Sequence, residues 1–196
     1  MNLDIPVLAI DGPGGAGKGT VSRAVARQLG WHFLDSGAIY RALAIAVIDQ
    51  AVSRDAEDAI TAIALEMNLH FEPGEPPAVC LNGADISSRL ASEQTGAMAS
   101  HIAAYAPVRK ALLQKQRDFK KSPGLVADGR DMGSMVFPEA RWKIFLTARV
   151  EVRAERRYKQ LKQKGQDVNL DVLTRELEER DRRDRERTEA PLVLSP

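Results

Sequence analysis

The chain has 196 residues, 44% hydrophobic and 28% charged, which suits one folded domain of ordinary size with small insertions. Lys and Arg number 28 against 27 Asp and Glu, so no net charge drives the chain onto a nucleic-acid backbone or an anionic membrane. The single cysteine, Cys80, excludes an internal disulfide, fits a reducing compartment and reads as a small apolar strand residue. Met1-Asn2-Leu3-Asp4 lacks the basic start of a signal peptide, and no stretch nears the ~20 apolar residues of a membrane span, so a cytoplasmic location is expected.

The apolar run Ile5 to Ile10 predicts a buried strand, and Val21 to Leu29 predicts an amphipathic helix. Between them lie Gly12, Pro13, Gly14, Gly15, Ala16, Gly17, Lys18, Gly19 and Thr20. The glycines let successive N–H groups converge on phosphate oxygens, the following helix adds positive potential, and Lys18 sits where it reaches terminal phosphates. A bare glycine-rich turn would need neither the lysine nor the flanking strand and helix. This stretch is a nucleotide phosphate cradle.

Trp31-His32-Phe33-Leu34 reads as a second strand, so the chain starts as a βαβ unit. That alternation predicts an α/β fold with a parallel central sheet, helices on both faces and ligands at the carboxyl ends of the strands. Asp35 and Ser36 lie at such an end, where they can cap a helix from Ala38 to about Ala51. Arg41 follows on that helix, in reach of an anion drawn to its start. His32, His70 and His101 share no spacing suited to a metal or a triad and are expected in packing or at the surface.

Asp55 to Met67 reads as a short helix. Leu69 to Phe71 and Val79 to Leu81 then flank Pro73-Gly74-Glu75-Pro76-Pro77, and Asn82-Gly83 is a hairpin turn before Ala84 to Ile86. A small antiparallel unit of this kind is foreign to a parallel core and is expected as an insertion on the substrate side. Ser92 to about Lys121 is predicted helical with a break near Pro107 and with Val108, Leu112 and Leu113 facing inward. Spacing alone singles out neither Ser100 nor Arg109.

Gly124 to Asp128 is the next buried strand, followed by Gly129-Arg130-Asp131-Met132-Gly133. An Arg and an Asp framed by glycines just past a core strand belong where the sheet binds its ligands, and Asp128 can approach a magnesium water shell. Trp142 to Leu146 is predicted to be a further core strand. Beyond Glu151, Arg153, Arg156 and Arg157 share one side of a helix ending near Lys164-Gly165, a candidate phosphate lid. A second helix, from about Leu170 to Arg187, carries Arg180, Asp184 and Arg187 on one face, either as intrahelical salt bridges or as ligand contacts.

Taken together, GPGGAGKGT, Asp35-Ser36-Gly37-Ala38-Ile39-Tyr40-Arg41, Asp128-Gly129-Arg130-Asp131-Met132-Gly133 and Glu179-Arg180-Asp181-Arg182-Arg183-Asp184-Arg185 resemble the bacterial cytidylate kinase family over nearly the whole chain. The resemblance implies a P-loop nucleoside triphosphate hydrolase-like three-layer sandwich, with a core of 1–54, 92–150 and 169–196, an acceptor-side insertion at about 55–91 and a helical lid at about 151–168. It implies phosphoryl transfer from ATP to CMP and dCMP. Gly12 to Thr20, with Arg156 and Arg157, would bind ATP, and Lys18, Arg130, Arg156 and Arg157 would stabilise the transferring group. Ser36, Arg41 and Arg130 would hold the acceptor phosphate, Ser100, Arg109 and Asp131 the cytosine, and Arg180, Asp184 and Arg187 the ribose and phosphate.

Gly19 stands where many phosphate loops carry the magnesium-binding hydroxyl, so Mg2+ is expected to be held mainly by phosphates and water, with no protein metal site. A monomer acting on small molecules, with no nucleic-acid or membrane partner, is expected. A kinase for AMP, UMP or shikimate would share the loop but lack the Gly-Arg-Asp-Met-Gly run and the hairpin unit. A catalytically weak nucleotide-binding module is the other reading. Family members continue past Ala190-Pro191-Leu192 with another strand and helix, whereas this sequence stops at Leu194-Ser195-Pro196, which would leave a sheet edge uncovered.

Overall fold

The apolar runs separated by glycine and proline fold into alternating strands and helices. In the computed structural model, which describes residues 5–72, 78–163 and 165–194, these begin with β1 (Val7–Asp11), α1 (Lys18–Leu29), β2 (His32–Asp35), α2 (Ser36–Asp49) and α3 (Glu57–Glu66). Next come β3 (Leu69–Glu72), β4 (Ala78–Leu81), β5 (Ala84–Asp85), α4 (Glu93–Ile102) and α5 (Ala106–Arg117). The last are β6 (Leu125–Gly129), β7 (Trp142–Phe145), α6 (Val150–Gln163) and α7 (Leu170–Glu186). The expectations for Met1 to Asp4, for the proline-rich 73–77, for Lys164 and for Ser195-Pro196 lie outside the described residues.

Two compact units result, Met1–Leu34 with Phe119–Pro196, and Asp35–Asp118. The first is built on a sheet of order β2-β6-β1-β7, in which β1 runs parallel to both β6 and β7. With a neighbour on each side, β1 and β6 are apolar at nearly every position rather than at every second one. Ile10 and Val126 meet Ala26 of α1 in the core, and Leu8, Val25, Trp31, Phe33 and Leu146 pack around them. The helix ends at Gly30, whose left-handed backbone turns its N–H onto the last carbonyls.

β7 corrects one expectation. It is the last strand in the order, not a core strand, and Trp142 and Ile144 are 45% and 49% exposed. Where β1 runs into the loop, a Cβ on Gly12 would lie 2.0 Å from the Leu146 carbonyl oxygen, and its φ of 147° also belongs to glycine. The crossing of these two chain segments therefore admits no other residue.

The second unit centres on α2, apolar almost all round and buried from Ala38 to Val47 except at Arg41. Asp35 caps it, its Oδ1 accepting from the Ala38 N–H at 3.0 Å, so the helix starts at Ser36 rather than Ala38. β3, β4 and β5 form the expected antiparallel sheet, and Asn82 and Gly83 turn between strands with φ of 50° and 85°. Val79 and Leu81 take the buried face of β4, so Cys80 falls on the half-buried face instead of the apolar one. The break in the third helical stretch lies at residues 103–105, and Pro107 sits in the first turn of α5, where its missing N–H costs nothing. Val108 and Leu112 are fully buried, Leu113 only half, and Gln116 takes the next inward position.

Candidate active site

The segment from Asp11 to Gly17 joins β1 to α1. α1 begins three residues earlier than its apolar pattern indicates, at Lys18, because the loop's last glycine, Gly17, takes a left-handed N-cap conformation (φ 98°) without a side-chain cap. The helix carries no acidic residue in its own first turn, so its leading N–H groups and dipole offer positive potential to an anion.

Lys18 is 5% exposed, its Nζ donating to the Pro13 carbonyl at 3.1 Å and lying 3.7 Å from Asp128 Oδ1. Burial, and then the charge of Arg130, push its pKa down to about 7 against the pull of Asp128. Asp128 Oδ2 lies 3.4 Å from where a Cβ on Gly19 would stand, so the missing hydroxyl at position 19 leaves room beside a buried carboxylate.

Asp11 escaped the sequence reading. It is 3% exposed, and its two carboxylate oxygens accept from the Met132 and Gly133 N–H groups, each at 2.8 Å. Those amides open a single wide turn, Met132–Val136, in which Val136 and Phe137 donate to carbonyls five residues back. Burial raises the Asp11 carboxyl above its ordinary pKa, opposed by the two amides. The available signal was an acidic residue closing an apolar strand just before a phosphate loop.

Asp11 thereby anchors the turn that follows Arg130 and Asp131. Asp131 is 4% exposed, and its carbonyl accepts from Met135 and Val136. Arg130 donates from Nε to Asp184 Oδ2 at 2.9 Å, and its Nη2 and the Arg180 guanidinium lie over Gly14. Burial tends to raise the Asp184 carboxyl, but Arg130, Arg180 and Arg187 outweigh it and hold its pKa below the ordinary value. Arg187 is not in the helix but caps it with extended backbone, donating from Nε to the Ala190 carbonyl at 2.5 Å. The Arg180, Asp184 and Arg187 set is thus tied across the fold to Arg130, more than a solvated intrahelical pairing.

The three arginines expected on a phosphate lid separate. Arg153 is 3% exposed and paired with Asp181, which removes it from the phosphate-binding set. Helical spacing places it on one side of α6 but does not reveal that this side faces α7. Arg156 is exposed, its Nη1 lying 3.9 Å from the Cβ position of Gly17, and Arg157 is half-buried.

In the second unit, Ser36 opens α2 and its buried hydroxyl donates to Gln116 Oε1 at 2.7 Å. Arg41 donates to the Leu90 carbonyl at 3.1 Å, and its Nη2 approaches Gly96 of α4. Ser100, also on α4, is 7% exposed, and its Oγ has no hydrogen-bond partner among the described residues. Arg109 donates to the Ala103 carbonyl at 3.3 Å and stands over the Tyr40 ring at 5.8 Å. Elsewhere His32 is bonded to the Ser122 carbonyl and His101 to the Tyr105 hydroxyl, while His70 is exposed.

The family model described as cytidylate kinase matches residues 8–196. The chain belongs to the cytidylate kinase family. It is 62% identical over 192 residues to the cytidylate kinase of Methylococcus capsulatus, an alignment covering 98% of this chain and 86% of that protein. It is 54% identical to the cytidylate kinase of Aeromonas hydrophila (95% and 82% covered) and 51% identical to that of Pseudomonas aeruginosa (98% and 85% covered). The P-loop kinase architecture of the cytidylate kinase family agrees with the parallel sheet, the glycine loop and the separate antiparallel sheet found here. Among the described residues, no helix is long and apolar enough to cross a membrane.

Proposed function

We propose that this chain transfers the γ-phosphoryl group of ATP to CMP and dCMP, giving CDP and dCDP. The observation that carries this reading is the buried pairing of Lys18 with Asp128 beneath a glycine loop that opens α1, in a chain of this family. Phosphoryl transfer passes through a loose transition state, so the protein's task is alignment and neutralisation of charge. Lys18 and the amides of the loop hold the triphosphate, and Arg156 and Arg157 close over it from a lid that begins with α6. Arg130 and Arg41, with Ser36, orient the acceptor phosphate, and Arg180, Asp184 and Arg187 hold the ribose and phosphate.

Asp128 is a buried carboxylate beside Lys18, and among the described residues no group of three or more His, Cys, Asp or Glu could hold a metal. Asp128 would stand near the water shell of a Mg2+ held mainly by the phosphates. When bound, Mg2+ neutralises charge developing on the phosphate oxygens. The antiparallel unit serves the acceptor side, and the enzyme acts in the cytoplasm as a monomer on small molecules.

Asp131 accepts from the cytosine exocyclic amine while Arg109 donates to the ring acceptors, and the unpartnered hydroxyl of Ser100 supports a third contact. Uracil would turn a carbonyl toward the carboxylate, which should cost it roughly tenfold or more in kcat/KM. The test is turnover of CMP, dCMP, UMP and AMP by the native enzyme and by Asp131→Ala. We expect the native enzyme to prefer CMP and the variant to lose its preference over UMP. An unchanged CMP to UMP ratio removes Asp131 from the role, and preferred turnover of AMP or UMP replaces the substrate.

The lowered pKa of Lys18 gives a pH prediction. The triphosphate's negative charge raises that pKa, so above pH about 7 binding must draw a proton onto Lys18. ATP affinity should therefore fall as pH rises, by up to about tenfold per unit. Calorimetry in two buffers of different ionisation heat should register proton uptake, and equal heats in both would contradict it.

A further inference from the structure

Arg153 donates four hydrogen bonds to partners inside the protein. Its Nε donates to the Ala148 carbonyl at 2.9 Å, Nη1 donates to the Gly14 carbonyl at 3.0 Å and to Asp181 Oδ1 at 3.1 Å, and Nη2 donates to Asp181 Oδ2. The residues so joined are the phosphate loop, the segment leading out of β7, and α7. Arg153 is 3% and Asp181 3% exposed, so the pair is shielded from solvent and from salt. Planar forks of this kind suit guanidinium alone, which stays charged and presents donors in fixed directions.

The Gly14 contact has a geometric consequence. A trans peptide is planar, with its C=O and N–H on opposite edges. Holding the Gly14 carbonyl toward α6 therefore turns the Gly15 N–H away from it. Gly15 itself has a φ of +76°, and the Arg153 Cβ lies 3.4 Å from where a Cβ on Gly15 would be. A glycine loop left to itself has more conformational freedom than any other backbone and points its amides in many directions. Here the stem of Arg153 covers Gly15 and its guanidinium fixes the preceding peptide plane.

We propose that Arg153, held by Asp181, is a positioning residue that orients the Gly14–Gly15 peptide so that the Gly15 N–H faces the donor phosphates. It contributes preorganisation, because the amide is already aimed before the nucleotide arrives. The pair also anchors the start of α6 to the loop, so the helix bearing Arg156 is referenced to the phosphates it serves. This rests on the reading that ATP occupies the loop.

Two variants test it with ATP and CMP as probes. Arg153→Met combined with Asp181→Leu removes both charges together, which avoids stranding one of them and favours retention of the fold. Arg153→Lys keeps a charge opposite Asp181 but cannot reach Gly14, Ala148 and both carboxylate oxygens at once. We expect the double variant to raise the ATP Kd by about tenfold or more, with the CMP KM within about twofold of native. The lysine variant should move the same way by a smaller factor. A folded double variant binding ATP like the native protein overturns the proposal, as do equal losses for ATP and CMP, which would mark a general structural role. If the double variant does not fold, a native ATP Kd in Arg153→Lys overturns it and a raised one sustains it. Failure of the native protein to bind ATP would instead refute the proposed function.

Discussion

Lys18→Ala is expected to lower kcat by about a thousandfold while the protein stays folded. The lysine stands at the first position of α1 with Asp128 and the Pro13 carbonyl as its partners. Its ammonium is the one lysine charge placed in the loop, and preorganised donors of this sort account for about two to three orders of magnitude each when removed from comparable sites. Stability should follow the opposite logic. Burial is the largest influence on this side chain, so the folded protein bears a desolvation cost that alanine removes, offset by lost packing of the stem. A coupled assay of ADP release combined with thermal unfolding separates the two. Near-native turnover in a folded variant would exclude the assigned role.

The second large effect is expected at Arg130. Arg130→Met should reduce kcat/KM for CMP by about a hundredfold or more, since in the proposed function one guanidinium would both orient the acceptor phosphate and neutralise the transferring group. The variant keeps most of the aliphatic stem, and the Arg180 guanidinium still lies over Gly14, so the loop should retain its shape. Asp184 loses its closest cation and keeps Arg180 and Arg187, so its carboxyl pKa should rise. In the native protein that pKa is depressed, hence the stabilisation it contributes is present above the carboxylate's ordinary range and is lost as pH falls through the depressed value. The stability difference between native and variant should accordingly be widest near neutral pH and close in acid. Steady-state kinetics together with urea unfolding at several pH values measures both. A variant with native kcat/KM would show that Arg130 serves only Asp184.

The parts legible in the sequence are those whose cause is local. Gly12 to Thr20 reads as a phosphate cradle because glycine spacing, lysine and flanking periodicities lie within one stretch, and Asn82-Gly83 encodes its own turn. What sequence left open depends on partners far along the chain. Arg153 and Arg156 lie on one helical side, yet one is buried against Asp181, 28 residues away, and the other is exposed. Asp11 is a lone acidic residue until Met132 and Gly133, more than 120 residues on, supply two amides. β7 reads as a mainly apolar run like β6, and only the strand order shows that it has a neighbour on one side. The turn after Asp131 has no residue pattern of its own. Its winding follows from where Asp11 holds its amides.

Gly124 has a consequence of a different kind. A Cβ there would lie 2.4 Å from the Trp31 ring, so the bare backbone leaves room for that indole, whose centroid is 6.2 Å from that of Trp142. These are the chain's two tryptophans, and both belong to the unit that contains the central sheet. Intrinsic fluorescence of this protein therefore arises from one pair of neighbouring indoles and reports on that unit, while the unit spanning Asp35–Asp118 is silent except through tyrosine and phenylalanine.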